Sequence, residues 1–375
     1  MKFSFKLITI LGIPISINAS WFIIFGLVLI SFAMGWFPIY APGLSDLTYW
    51  TMGIVSAVLL FASLLAHELS HSYVAIKHNL PIKGITLFIF GGVAHMTKEP
   101  SDPKTEFEMA IAGPACSVAI AASLGILTIL FEKLGFPVYI SAITSILSKI
   151  NITITIFNLV PGFPLDGGRV FRAILWAILK DLKRATQIAS TGGKVFASLL
   201  IAAGFLSLIY GGTLSGIWFI LIGWFLWEAA GLSYQQVVMN KVLTGARVSD
   251  IMTREVITVD NNITLHDLVE QYFFTYRFTS FPVTSASELM GLITLHDVKD
   301  VPREQWMTKR AKEVMVPINE DLVIKENAQV LAALTQMAKT GIGRLLVIED
   351  SHLIGIISQR DIVRLFEFRA DLGES

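Results

Sequence analysis

Charge is scarce in this chain: Lys, Arg, Asp and Glu make up 15% of its 375 residues, against about a quarter in an average soluble domain. Between Asp46 and Glu68 there is no charged residue at all. Cysteine is nearly absent too. The single Cys116 excludes an intrachain disulfide framework and fits a reducing compartment for the tail. Net charge is also missing, because 29 basic and 29 acidic residues cancel, which argues against a nucleic-acid partner. What fills the chain instead is apolar surface, with 54% hydrophobic residues and a mean hydropathy of +0.65. The few charges are uneven: 24 fall in residues 1–240 and 34 in the last 135. The first two-thirds therefore reads as membrane-embedded and the rest as a soluble module.

A bilayer-crossing helix needs about 20 mostly apolar residues. Six segments qualify, at roughly 17–36, 52–76, 107–131, 138–161, 194–211 and 214–231. The first has the outline of a signal peptide, with Lys2 and Lys6 ahead of an apolar run. Pro14 interrupts that run and five spans follow, so the segment is expected to be retained. Lys149 lies inside the fourth span and must either snorkel or precede a later start. The loop after the first span has no Lys or Arg. The loops after the second and fourth carry Lys77, Lys83, Lys98 and Lys104, then Arg169, Arg172, Lys180, Lys183 and Arg184. The positive-inside rule places these, the N-terminus and the tail in the cytoplasm of a plasma-membrane protein.

Within the second span stands His67-Glu68-Leu69-Ser70-His71. On a helix, positions i and i+4 share a face, so the two imidazoles can meet one tetrahedral zinc, with Glu68 beside it as candidate general base. Read blandly, these are two buried histidines bonded to polar neighbours. Three ionisable residues within five positions of a span weigh against that, because such groups are costly in lipid and usually functional. His67 lies about nine residues before the cytoplasmic end of its span, roughly 10–15 Å inside the hydrocarbon at ~1.5 Å per residue. A catalytic zinc site takes a third protein ligand and leaves a position open. Asp166, in the segment NLVPGFPLDGGR at 158–169, is favoured, and His95 is the competitor. Pro161 and Pro164 break the helix there, and Gly167-Gly168 let backbones approach.

Together, His67-Glu68-x-x-His71, Asn158-x-x-Pro161 and Leu165-Asp166-Gly167 resemble the site-2 protease family of intramembrane zinc metalloproteases. The resemblance extends to LGIPI at 11–15, FGG at 90–92 and IAGP at 111–114. It implies one zinc per chain held by His67, His71 and Asp166, and Glu68 as base. It also implies that Asn158 steadies the substrate carbonyl or its developing oxyanion, a role that suits an amide donor. The implied activity is cleavage of a transmembrane or membrane-proximal segment of a single-span protein, in regulated intramembrane proteolysis. The segment between the second and third spans is too short for the periplasmic PDZ insert of one subgroup. Its stretch at 82–96 alternates β-favouring residues and has Gly91-Gly92 as its turn, so a hairpin is expected, with an edge able to hold an extended substrate.

The tail carries an internal repeat of about 64 residues. VSDIMT at 248–253 matches AKEVMV at 311–316, and MGLITLHDV at 290–298 matches IGIISQRDI at 354–362. The pair resembles tandem cystathionine-β-synthase-type (CBS) repeats, each with Gly-x-x-Thr/Ser-x-x-Asp: Gly291, Thr294, Asp297 and Gly355, Ser358, Asp361. In that family the hydroxyl meets phosphate and the carboxylate meets ribose, so an adenine nucleotide (ATP, ADP or AMP) is the expected ligand. Thr258 adds an adenine-side contact whose counterpart, Val323, lacks the hydroxyl. The alternative is a module whose turn residues are structural and which only associates. A homodimer through the tails is expected in either case.

The expected fold is a multi-pass α-helical membrane protein of six transmembrane helices with a short membrane-associated β-hairpin, followed by a soluble α+β tandem CBS module. Its boundaries are 1–240 for the protease domain and 246–304 and 308–375 for the repeats. The alternative from another class is a transporter or channel with a CBS tail and an intramembrane metal site. Such a protein has no need of Glu68 directly after His67, and its membrane halves would show internal symmetry, which is not visible.

Overall fold

The computed structural model describes residues 4–371 apart from 90, 97–98, 212–214, 244, 287 and 351. Lys2, Phe90, Lys98 and the last residues of the second repeat lie outside the described residues. The chain opens on a β-hairpin, β1 (Ser4–Ile10) and β2 (Ile13–Asn18), turned at Leu11-Gly12 with φ of 51° and 79°. This corrects the expectation of an apolar run entering the first span at residue 17. Pro14 sits just before β2 pairs in parallel with β3 (Ile82–Phe88) at Ile15, Ser16 and Ile17, so its missing N–H breaks none of those ladder bonds. β3 pairs antiparallel with β4 (Gly91–Met96), and the four strands form one sheet in the order β1-β2-β3-β4. The expected hairpin is therefore half of a larger sheet. Its turn falls before Gly91-Gly92, which belong to β4.

Among the described residues, six helical segments are long and apolar enough to cross a membrane. The first is α1 (Trp21–Ile30), a π-helical turn at Ser31–Trp36 and α2 (Phe37–Tyr40). α3 (Asp46–Lys77) begins at Ser45, whose hydroxyl accepts the Thr48 amide at 3.3 Å. α4 (Pro103–Lys133) begins at Asp102, which accepts the Thr105 amide at 2.9 Å, with Pro103 at the first helical position. The Thr105 hydroxyl and amide hold the Asp102 carboxyl below its ordinary range. α5 (Val138–Asn158) starts where expected, so Lys149 stays within it, exposed, with its ammonium 4.6 Å from the Tyr40 ring centroid. The span ends at Asn158 rather than 161, because the prolines lie in the irregular stretch that follows. Where only a basic loop was expected, α6 (Asp166–Leu179) forms. α7 (Leu182–Gly211) and α8 (Ser215–Leu243) both outrun the expected spans. Phe32, Phe37, Met52, Leu60, Ile146 and Leu147 pack a core between the first, second and fourth spans.

Residues 238–375 form a second compact unit. In order it holds α9 (Val248–Ile251), β5 (Val259–Asp260), α10 (Leu265–Leu268), α11 (Phe274–Tyr276), β6 (Ser280–Ser285), β7 (Glu288–Thr294) and α12 (Leu295–Lys299). Then come β8 (Val316–Pro317), β9 (Val323–Ile324), α13 (Val330–Thr340), β10 (Arg344–Glu349), β11 (His352–Ser358) and α14 (Gln359–Asp371). β5-β6-β7-β8 make one sheet and β11-β10-β9 another. The repeats exchange their entering segments. β8 pairs with β7 of the first repeat, while Thr253 bridges Ile356 on β11 of the second. Each repeat closes its core on Leu265, Leu268, Phe281 and Ile293, or on Val330, Ala333, Leu345 and Ile357.

Candidate metal centre and active site

His67 and His71, one helical turn apart on α3, are both buried. Their Nε2 atoms stand 3.2 Å apart, and Asp166 Oδ2 lies 3.0 Å from the first and 3.3 Å from the second. These three are the one group of metal-ligating type among the described residues. A tetrahedral ion with bonds of about 2.0–2.1 Å holds its ligand atoms roughly 3.3 Å apart. The spacing fits.

Tautomers support the same fit. His71 Nδ1 lies 2.7 Å from the Met109 carbonyl, which only accepts, so Nδ1 carries the proton and a neutral ring presents Nε2 as a bare lone pair. His67 Nδ1 is 2.9 Å from Ser117 Oγ. The His71 lone pair and the Asp166 carboxylate converge with His67 Nε2 on one point, where a cation would satisfy all three.

Two glycines make room. A Cβ on Gly113 would stand 2.6 Å from His67 Nε2 and closer still to His71 Nε2. A Cβ on Gly92 of β4 would stand 2.6 Å from Glu68 Cγ, so the outer strand of the sheet passes directly against Glu68. Gly92 serves clearance, not a turn. Gly167 and Gly168 lie against the backbones of Leu159, Val160, Gly162 and Phe163, which folds the stretch after α5 back onto the start of α6 and delivers Asp166. Asn158, the last residue of α5, brings Nδ2 within 3.5 Å of His67 Nε2. His95 is elsewhere, bonded to Thr86 across the β3–β4 hairpin at 3.1 Å.

A cavity of about 330 Å³ opens beside the triad. Glu68, His71 and Asp166 line it together with Glu99, Arg169, Arg172 and Gln236, so part of its wall is polar and can hold water, while Ile82, Met96 and Phe163 make another part apolar. Arg172 was anticipated only as a loop charge. It is 5% exposed and pairs with buried Glu106 on α4.

In the second unit, Thr294 and Asp297 form a reciprocal cap on α12: the Thr294 hydroxyl and amide donate to Asp297 Oδ2 at 2.7 and 2.8 Å. Ser358 and Asp361 repeat this at the start of α14, at 2.6 and 2.8 Å. Each aspartate uses one oxygen in its cap. Thr258 precedes β5 and has no hydrogen bond to either pair among the described residues. One residue was missed. Arg344 reaches across to Ser280 Oγ at 2.6 Å and Thr279 Oγ1 at 2.8 Å. Ser280 faces Thr294 and Arg344 faces Ser358 in their hairpins, so this contact joins the two motifs. Burial draws the Arg344 pKa down, and Asp361 opposes that. The repeat offset gave the signal, since Arg344 stands where the first repeat has Ser280.

The model of peptidase family M50 matches residues 55–148 and 125–201, and that of the CBS domain matches 248–304 and 311–367. The chain is 33% identical to Rip3 of Mycobacterium tuberculosis over 354 residues, 94% of this chain and 90% of that one. It is 32% identical to a zinc metalloprotease of Methanocaldococcus jannaschii over 379 residues, covering 100% of both. A solved site-2 protease from Methanocaldococcus jannaschii is 33% identical, with a TM-score of 0.43, over 62% of this chain and 95% of that one. These relationships displace the transporter alternative. The chain belongs to peptidase family M50, the site-2 protease family of membrane zinc metalloproteases, and carries a tandem pair of CBS domains.

Proposed function

We propose that this zinc metalloprotease performs regulated intramembrane proteolysis, cutting transmembrane or membrane-proximal segments of single-span proteins. The observation that supports this best is a ligand-spaced triad whose two histidines stand on an apolar, span-length helix, beside a cavity lined in part by charged groups. In this reading His67, His71 and Asp166 hold one zinc. When bound, zinc polarises a carbonyl and makes water nucleophilic near neutral pH. Glu68 takes the proton of the attacking water and hands it to the leaving amine. The Asn158 amide donates to the carbonyl oxygen as charge builds there. β4 offers its outer edge to an extended substrate strand beside Glu68. Purified protein is expected to hold close to one zinc per chain, lost in Asp166→Ala and kept in His95→Ala. Metal analysis giving the reverse would exchange the third ligand.

The charge pattern supports cytoplasmic termini in a plasma-membrane protein. After Cys116→Ala, a cysteine at Ser45 should label only from outside and one at Lys183 only from inside. Labelling of both from one face would break this topology.

The CBS pair is proposed to bind an adenine nucleotide and to associate into a homodimer. Arg344 adds a cation beside Thr294, Ser358 and Asp361, where phosphate needs one. Nucleotide binding there is proposed to modulate cleavage, and allosteric coupling typically shifts activity by about 5- to 150-fold. Asp297→Asn with Asp361→Asn keeps cap acceptors and should abolish the response without changing basal cleavage. Absence of heat on adding millimolar ATP, ADP or AMP to the full-length protein would leave the pair a docking or dimerisation module.

A further inference from the structure

We infer that Glu106 and Arg172 are positioning residues for the third zinc ligand, acting through the placement of α6. The inference rests on Asp166 being that ligand. Glu106, Met109, Gly113 and Ser117 follow one another at spacings of three, four and four on α4, so they share one helical face. Met109 orients His71, Ser117 orients His67, and Gly113 leaves space for both rings. Glu106 completes the stripe by gripping Arg172. The Arg172 Nε donates to Glu106 Oε1 at 2.6 Å, and its Nη2 contacts the same oxygen. Arg172 lies six residues beyond Asp166 on α6, roughly 9 Å along the axis at ~1.5 Å per residue. Its guanidinium also stacks 4.9 Å from the ring centroid of Phe163, in the stretch that delivers Asp166.

The start of α6 has no side-chain cap, and its N-cap is Leu165. The ion pair is therefore the directional tie between the helix that bears Asp166 and the helix that orients both histidines. An apolar contact would hold α6 against α4 without fixing its rotation. Two guanidinium N–H groups meeting one buried carboxylate oxygen restrict the orientation of Arg172 as well as its distance, because charge-assisted hydrogen bonds are directional. Glu106 is 1% exposed, and its other oxygen, Oε2, has no partner among the described residues, so the pair is retained at a desolvation cost that packing alone would not explain.

The test is zinc affinity of the full-length protein by chelator competition, alongside thermal unfolding of the zinc-free form. Single substitutions leave a buried charge unpaired and can fail to fold. The informative variants are Glu106→Leu with Arg172→Met, and the reversal Glu106→Arg with Arg172→Glu. The apolar pair should unfold near the wild-type temperature yet bind zinc about 10- to 100-fold more weakly, the usual effect of losing an outer-shell orienting contact. The reversal should recover most of that affinity. Wild-type affinity in the apolar pair, with zinc lost in Asp166→Ala, would overturn the inference and leave Asp166 a ligand. Zinc retained in Asp166→Ala would overturn the ligand reading and the inference with it.

Discussion

Glu68→Gln is expected to keep the zinc and the fold while lowering peptide cleavage by at least about 100-fold. Positioned general acid–base groups typically contribute 10²- to 10⁴-fold, and an amide cannot accept the water's proton. The substitution is nearly isosteric, and the space around Glu68 is set by Gly92, which admits either side chain. Zinc content should not change, because Glu68 is not one of the three converging ligand atoms. The check is a cleavage assay on zinc-replete protein with metal analysis of the same sample. Cleavage near the wild-type rate would remove Glu68 as the base.

Gly113→Ala should do comparable damage by a different route. The added methyl would lie 2.6 Å from His67 Nε2 and closer to His71 Nε2, on the ligand atoms themselves. Neither ring can retreat freely, since Met109 and Ser117 hold their other nitrogens. Displacing a reacting group by about 1 Å can cost 10²-fold in rate. Zinc affinity and cleavage should therefore fall together, whereas Glu68→Gln separates them. Unchanged zinc binding in Gly113→Ala would mean that α4 does not approach the histidines this closely in the membrane. Unlike substitution of a ligand, this change leaves every donor atom in place, so it isolates the steric role of the helix.

The sequence by itself determined the membrane class, the number of spans and the zinc chemistry. Apolar length is a local property, and His67, Glu68 and His71 are fixed relative to one another by a single helical turn. The repeat in the tail was legible for the same reason, as a pattern that returns at constant offset. Asp166 could be proposed but not placed, because its approach depends on the tight folding of residues 159–165 onto α6.

Only the tertiary structure decided what joins distant segments. Residues 4–18 resembled the approach to a span because a strand's apolar residues and a helix's are the same residues. Pairing of β2 with β3, across more than sixty intervening residues, made them a sheet. The Met109 carbonyl has no signature in sequence, since every residue carries one, yet it sets the His71 tautomer. Glu106 and Arg172 read as two ordinary charges until α4 and α6 met. The exchange of segments between the CBS repeats was likewise unreadable, and the repeat offset matches Arg344 to Ser280 by position without showing that the two touch. A hydrogen bond between residues 64 positions apart depends on how the chain returns, and no local preference encodes that.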